Sequence, residues 1–421
     1  MAITYSKPKL LQITQKDSFF MPSNQRGSYA YKSSRSPYAR PARPARGGKK
    51  PKHGQYIDPA RFVKVAVPVK SEEYIAKHKF ADFDLDKRLQ TNIAEKGFIS
   101  PTPIQDDTID LGLQGKDIIG IANTGTGKTA AFLVPILNRL MRDRNAKALI
   151  VAPTRELAQQ IEMERRVLSR GGGVYGALLI GGSSYGPQLR DLRSNPNMVV
   201  GTPGRIKDHI EQRSLDLSKY NLVVLDEVDR MLDMGFVNDV KLLLGQLNPS
   251  RQAFYFSATM DNRVSALITT FSPEAVTISV RSGDTSTNVH QDVIPYTDKH
   301  NKMEALHNLL IEPLVTKSII FEETQRNVER LEEDLRSRGF DVMAIHGGKS
   351  QGQRKRALDT FKEGRVQILV ATDVAARGID VADVSHVINY GLPQTYDDYT
   401  HRIGRAGRAG KTGYAFTFVE R

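Results

Sequence analysis

Three short stretches carry side chains able to act together on a phosphoanhydride. The first is DIIGIANTGTGKTAAF (117–132): an apolar run, a glycine-rich turn, then a helical pattern. Gly125 and Gly127 let backbone N–H groups approach a triphosphate closely. Lys128 reaches for the β- and γ-phosphates, and Thr129 is placed to ligate Mg²⁺. The helix that follows directs its N-terminal dipole at the same anion. Ala122 stands where such loops usually begin with glycine, and Asn123, Thr124 and Thr126 fill the rest. A capped turn with an exposed lysine is the competing reading, and the flanking strand and helix disfavour it.

The second stretch, NLVVLDEVD (221–229), is an apolar strand ending in two carboxylates. Open parallel sheets bind ligands at the carboxyl ends of their strands. There Asp226 would hold Mg²⁺ through water, and Glu227 would orient or deprotonate an attacking water. Thr129, Asp226 and Glu227 are thus the expected metal shell. The third stretch, HRIGRAGRAG (401–410), supplies His401, Arg402, Arg405 and Arg408. Arg405 and Arg408 lie three apart, which on a helical turn gives them one face. Two guanidiniums so placed can clamp a terminal phosphate.

Elements of a particular kind must hold these groups. Short apolar runs alternate with helical stretches from about Asp82, the pattern of a parallel sheet wrapped by helices. Strands are expected at 117–122, 148–152, 177–180, 198–201, 221–226 and 253–258. After the polar stretch RSGDTSTNVHQD a second alternation brings strands at 318–321, 341–346, 367–372, 386–390 and 414–419. The expected fold is α/β, with two tandem parallel-sheet domains. The expected boundaries are an N-terminal extension 1–79, a first domain 80–280, a linker 281–290 and a second domain 291–421.

The net charge of +13 is unevenly spread. Residues 1–79 hold 17 Lys and Arg against 4 acids, so the entire imbalance sits there. Residues 1–55 mix Pro, Gly, Ser, Arg and Lys without apolar periodicity, which predicts a disordered basic tail. Tyr29, Tyr31 and Tyr38 lie among its arginines and could stack on bases while the cations meet phosphates. A purely solubilising tail is the equal alternative, and a mitochondrial transit peptide a weaker one, since the tail is too rich in Pro and Gly for an amphipathic helix. The chain has no cysteine, which excludes disulfides and cysteine-ligated zinc and suits a reducing, cytoplasmic setting. No apolar run approaches the roughly 20 residues of a membrane span.

In their order these stretches resemble the DEAD-box RNA helicases of helicase superfamily 2, from about Phe83 to Arg421. Phe83 and GFISPTPIQ (97–105) look like the Q motif. The resemblance implies that Phe98 stacks on adenine and Gln105 hydrogen-bonds its edge, favouring ATP over GTP. ANTGTGKT is similar to motif I, and DEVD (226–229) to the family's signature tetrad. PTRELAQQI (153–161), Gly181–Gly182 and TPGR (202–205) resemble motifs that grip the RNA backbone, which assigns Pro153, Thr154, Arg155, Gly182, Thr202, Pro203, Gly204 and Arg205 to RNA. Ser257, Ala258 and Thr259, with Asp229, resemble the elements coupling ATP-driven closure to strand separation. In the second domain IIFEET (319–324) looks like motif IV. HGGKSQGQRKR (346–356) and ATDVAARGID (371–380) follow it. They imply RNA contacts by Gln353, Arg356 and Thr372 and a ribose contact by Asp380. HRIGRAGR resembles motif VI.

The resemblance thus implies two RecA-like domains using ATP and Mg²⁺, binding single-stranded RNA or short duplexes with little sequence preference. Ribosomal or RNA-processing proteins are the candidate protein partners. Val228 departs from the family's alanine; its two added methyls keep the carboxylates in place but crowd contacts across the cleft, so retained ATPase activity with altered coupling at most is expected. The chain ends soon after its last expected strand, so target choice is expected to rest on the N-terminal tail. A DNA helicase of the same superfamily and an RNA clamp acting through its tail are the rival readings. Phosphate contacts release counterions, so the tail's contribution should depend on salt. Removing residues 1–55 should weaken RNA binding most at low ionic strength and flatten the slope of log affinity against log salt, measured by fluorescence anisotropy.

Overall fold

A computed structural model of the chain describes residues 57–66, 74–123, 125–280, 288–376, 381, 383–407 and 411–421. The expectations for Thr124, Asp380, Arg408 and the tail tyrosines fall outside these residues.

Two parallel sheets form two lobes. The first contains β1 (Ile118–Ile121), β2 (Ala148–Val151), β3 (Gly176–Leu179), β4 (Met198–Gly201), β5 (Leu222–Leu225), β6 (Gln252–Ser257) and β7 (Val276–Ser279). Their order is β3-β4-β2-β5-β6-β1-β7, with every pair parallel. The second contains β8 (Val289–Tyr296), β9 (Ser318–Phe321), β10 (Val342–Ile345), β11 (Ile368–Ala371), β12 (His386–Asn389) and β13 (Gly413–Glu420). Their order is β10-β11-β9-β12-β13-β8, again all parallel. Parallel neighbours need crossover helices, and those helices cover both sheet faces. Central strands such as ALIV in β2 and LVVL in β5 are therefore buried on both sides. Each sheet packs a separate hydrophobic cluster on either face.

Two strands depart from expectation. β7 buries only Ile278 and exposes Val276, Thr277 and Ser279. β8 carries His290, Gln291, Asp292 and Pro295. Both are edge strands, where half of the backbone and one side-chain face lie outside the sheet. Their sequences lose the apolar continuity of a central strand, and proline becomes tolerable.

The domain boundaries shift accordingly. The second lobe begins at Val289, inside the expected linker. The extension 1–79 is also not uniform. Residues Pro59–Phe62 form a short 3-10 turn, and Phe62 is 1% exposed within the second lobe's core. Lys64 and Gln291 exchange backbone hydrogen bonds of 2.9 and 2.8 Å, an antiparallel bridge on the edge of β8. Residues 74–79 sit instead on the first lobe. A charge count over the whole extension hid one apolar anchor among many cations.

β1 carries the glycine-rich turn, and Gly120 within it lies against Phe256 of β6. A Cβ at Gly120 would fall 2.4 Å from the Phe256 ring. Gly120→Ala should therefore destabilise the first lobe by about 1–3 kcal/mol. The measurement is a lower urea midpoint with an unchanged denaturant slope.

Candidate active site

The glycine-rich turn joins β1 to the helix Lys128–Arg142. Gly125 and Gly127 have φ of 86° and 92°, the left-handed region where a side chain is costly. Ala122 needs no such freedom. It extends β1, its N–H bonds to Ser257 O at 3.1 Å, and its methyl packs in the core. Lys128 is buried, and its ammonium donates to Ala122 O at 3.0 Å. Thr126 closes the turn by donating from its hydroxyl to Asn123 O at 2.8 Å. Thr129 stands half-buried in the first helical turn.

The Q-motif residues brace this turn from behind. Thr102 and Gln105 form a capping box on the helix Pro103–Leu113. Gln105 accepts from Thr102 N at 3.0 Å and donates to Gly127 O at 3.0 Å, while the Thr102 hydroxyl donates to Thr126 O at 2.8 Å. Gln105 was expected to read adenine. The structure commits one N–H and one lone pair of its amide to the loop and the helix cap, leaving one of each for a base. Phe98 stacks on Phe80 with ring centroids 5.5 Å apart, half-buried at the core's rim. Phe83, expected at the nucleotide, is 5% exposed and wedged between His78 and Phe80. It supports the Q segment through these contacts.

Asp226 and Glu227 follow β5 at its carboxyl end, both buried. Asp226 Oδ1 has no protein hydrogen-bond partner, a costly state that a cation would relieve. Burial, only partly offset by Lys128, pushes the Asp226 carboxyl up. For Glu227 burial acts the same way, but Arg230, Lys128 and Arg405 overcome it and hold the carboxyl below its usual range. Arg230 is the nearest of these, with Nη1 donating to Glu227 Oε2 at 3.0 Å. Glu227 itself has φ 54° and ψ 55°. A non-glycine residue held there stores on the order of 1–3 kcal/mol, and such strain clusters at functional sites.

Asp229 joins this pair to the end of β6. Its Oδ2 accepts from Ala258 N and Thr259 N, both at 3.0 Å, and from the Thr259 hydroxyl at 3.2 Å. The Ser257 hydroxyl donates to Thr259 O at 2.7 Å. Every residue expected to couple closure to strand separation thus shares one hydrogen-bonded knot. Val228 was expected to crowd the cleft. It is fully buried in the first lobe's own core, because the sharp turn at Glu227 points it inward.

The second lobe reaches the same place. The helix Tyr396–Ile403 ends before Arg405, so Arg405 does not stand on a helical face. Gly404 caps that helix, and Arg405 lies in the turn beyond it. Arg405 is 5% exposed and close enough to act electrostatically on Glu227 of the first lobe. Burial and Arg230 push His401 down to about 4, so it is neutral at physiological pH. Arg402 is not at the phosphate position. It grips Asp373 through two bonds of 2.6 and 2.7 Å and donates to Asn389 Oδ1 and Gly391 O. A small cavity between the lobes is lined by Arg230, Phe321, Asp373, His401, Arg402 and Arg405.

A second cluster lies where RNA is expected. Thr154 caps the helix Arg155–Leu168, accepting from Leu157 N at 3.3 Å, after the buried Pro153. Thr202 precedes the helix Pro203–Glu211, with Gly204 and Arg205 in its first turn. Arg155 lies over the Gly181–Gly182 turn. A Cβ at Gly182 (φ 72°) would meet Arg155 Nη1 at 2.1 Å. Burial, then Arg354 and Arg205, lower the proton affinity of Arg155. Such crowded guanidiniums favour a polyanion between them. In the second lobe Gln353 completes a capping box with Ser350, Arg356 is exposed, and Thr372 is buried beyond β11. Among the described residues no group of three or more His, Asp or Glu side chains could hold a metal by itself.

Sequence reading missed Arg230, Glu156 and Arg354. Arg354 lies 2.7 Å from Glu156 across the lobes, both nearly inaccessible, though not aligned as a hydrogen bond. Gln351 donates to Gln159 at 3.1 Å beside them. Only the Thr-x-x-Gln capping signature of Thr102 was available to find a missed partner. Replacing Gln105 by Ala should remove the brace on Gly127. The KM for ATP should rise about tenfold, the value of one to two hydrogen bonds. The preference for ATP over GTP should also shrink, both read from steady-state hydrolysis.

Comparison with known proteins agrees with this geometry. Residues 102–267 match the DEAD/DEAH box helicase family model, and residues 301–410 match the helicase conserved C-terminal domain. The ATP-dependent RNA helicase CshA of Listeria monocytogenes serovar 1/2a is 45% identical over 345 residues, 81% of this chain and 66% of that protein. The DEAD-box ATP-dependent RNA helicase CshA of Bacillus subtilis (strain 168) is 42% identical over 341 residues, 81% of this chain and 69% of that protein. This chain thus spans about two thirds of the length of those relatives. Among solved structures, Mss116p bound to ssRNA and AMP-PNP superposes with a TM-score of 0.74 at 30% identity, over 84% of this chain and 77% of that one. S. cerevisiae Dbp5 bound to RNA and ADP BeF3 gives 0.72 at 31% identity, over 82% and 90%. By fold, motif order and similarity over four-fifths of its length, this chain belongs to the DEAD-box family of ATP-dependent RNA helicases.

Proposed function

We propose that this helicase hydrolyses ATP when RNA draws its lobes together, and that each closure separates a short duplex locally or remodels an RNA–protein contact. The observation that carries the proposal is Arg405, buried within electrostatic reach of Glu227 across the lobe junction. ATP would lie on the first lobe, its phosphates against the N–H groups of the 125–127 turn and Lys128. Glu227 would position the attacking water, and Arg405 would meet the charge that develops on the terminal phosphate. Thr129, Asp226 and Glu227 are the side chains suited to Mg²⁺, which when bound neutralises phosphate charge. The partnerless Asp226 Oδ1 favours that fit.

RNA would cross both lobes over Arg155, Arg205 and the two helix N-termini. These contacts address the backbone, so sequence preference should be low. ATP and RNA each favour the closed arrangement and should therefore bind cooperatively. Likeness to solved proteins holding both RNA and nucleotide supports this reading. A cytoplasmic setting is part of the proposal. No helix among the described residues is long and apolar enough to cross a membrane.

RNA-stimulated ATP hydrolysis tests the mechanism directly. Lys128→Ala and Arg405→Ala should each lower turnover by at least about 100-fold. Arg405→Ala should leave ATP binding to the first lobe nearly intact. Wild-type turnover in Arg405→Ala would remove closure as the route to catalysis.

A further inference from the structure

Two of the segments assigned above to RNA leave neighbouring strands, and buried side chains join them beyond the sheet. The Gly181–Gly182 turn follows β3, and Arg205 stands in the helix Pro203–Glu211 after β4. Tyr185 and Gln188 lie on the helix Tyr185–Arg193 that follows the turn, and His209 lies on the Arg205 helix. Gln188 is 4% exposed and His209 is fully buried. Polar groups so placed need partners, and these find them in each other and in the turn.

The two amide hydrogens of Gln188 are shared among Ile180 O at 3.2 Å, Ser184 O at 3.1 Å and Ser183 O at 3.5 Å, which brackets the two glycines. Both donors are thereby used, so Gln188 Oε1 faces His209 as an acceptor. His209 Nε2 must then carry the proton, which it donates over 3.4 Å. The lone pair on Nδ1 accepts from the Ser214 hydroxyl at 2.8 Å. That hydroxyl is also 2.9 Å from His209 O, a carbonyl already served by Ser214 N and Leu215 N. The hydrogen-bond network thus assigns one neutral tautomer. Burial, then the charge of Arg205, hold the ring down to about 4. The neutral ring stacks on Tyr185, with centroids 4.2 Å and planes 11° apart. The Arg205 guanidinium lies 5.5 Å from the centre of the same Tyr185 ring. Its Nη1 donates to Ser183 O at 3.3 Å, and its Nε is 3.4 Å from the Asp208 carboxylate.

We propose that Gln188, His209 and Tyr185 are positioning residues for RNA, which hold the Gly181–Gly182 turn and the Arg205 guanidinium at one fixed spacing for the phosphates of a single strand. The inference rests on the RNA path proposed above and supplies what keeps that path rigid. A guanidinium on a free stem loses rotamers when it meets a phosphate, and that loss weakens binding. Here the Tyr185 ring and Ser183 O restrict Arg205 before RNA arrives. The ring of Tyr185 is fixed in turn by His209, and His209 by Gln188 and Ser214. A charged imidazole in that place would repel the guanidinium that the stack holds, so a neutral ring suits the role. Support of this kind decides whether binding groups stay in the geometry they need. The three side chains act through Arg205 and the turn.

The test is RNA binding by the full-length protein with AMP-PNP, read by anisotropy of a fluorescein-labelled single-stranded oligouridylate over a range of salt. Gln188→Leu removes the amide, His209→Phe keeps a ring but removes both nitrogens, and Tyr185→Leu removes the flat face. Each should raise the RNA dissociation constant about five- to tenfold, with the KM for ATP at saturating RNA within about twofold. Arg205→Ala should weaken binding at least as much, and flatten the slope of log affinity against log salt by about 0.7, the value of one phosphate on a single strand. The three variants should flatten it in the same direction, whereas partial unfolding lowers the active fraction and leaves the slope alone. His209→Phe added to Arg205→Ala should weaken binding far less than it does in the wild-type background. Tyr185→Phe, which keeps the ring, should bind within about twofold of the wild type. If a buried substitution does not fold, Tyr185→Leu against Tyr185→Phe decides the question, since that side chain is only half-buried. Wild-type affinity in the folded variants, with Arg205→Ala weakened, overturns the positioning role and leaves the RNA path standing. Wild-type affinity and slope in Arg205→Ala overturn both.

Discussion

The structure depends on two carboxylates placed where water cannot solvate them. Asp226 and Glu227 end a central strand and are almost inaccessible. Burying charge is expensive unless cations or donors compensate. Much of the surrounding architecture supplies that compensation. Lys128 arrives from the phosphate loop, Arg230 from the next helical turn, and Arg405 from the other lobe. Two of these cations belong to the same lobe as the acids. The third is available only when the lobes meet, which makes the site's electrostatic balance a property of their arrangement.

From that centre, the connections to neighbouring functions are short. Two residues after Glu227, Asp229 holds the Ser257–Thr259 segment through three hydrogen bonds. Ser257 O in turn accepts from Ala122 N at the start of the phosphate loop. The acidic tetrad, the glycine-rich loop and the Ser257–Thr259 segment are thus one continuous hydrogen-bonded body. The Glu156–Arg354 contact lies farther out, beside Arg155, and links the lobes again on the side assigned to RNA. The sides proposed for nucleotide and for RNA therefore each have an electrostatic interaction that spans the junction.

Most of the fold was legible because central strands of parallel sheets must be apolar on both faces. ALIV, LVVL, SIIF and ILVA announce themselves as runs of four buried residues. β7 and β8 did not, since an edge strand has one exposed side and its sequence follows local chemistry instead. The active-site residues on the phosphate loop and after β5 were legible for a different reason. Their chemistry needs particular residue types at fixed short spacing. Arg230 and Arg354 carry no such signature: each is an arginine on a helix, indistinguishable in sequence from many surface arginines. Val228 shows the converse, a position whose residue type drew attention although its side chain belongs to the core.

The sequence by itself determined the chemistry on offer: a glycine-rich loop with a lysine, an acidic pair, a basic motif at the end of the last helix, and two alternations of strand and helix to carry them. These are local facts, encoded within about ten residues each. Tertiary structure alone decided which cation meets which carboxylate, that Gln105 braces the loop, that Phe83 is packing, and that Phe62 fastens a stretch of the N-terminal extension to the far lobe. Those outcomes join residues separated by tens to hundreds of positions. They are set by competition for burial and for hydrogen-bond partners across the whole chain, which no short window of sequence contains.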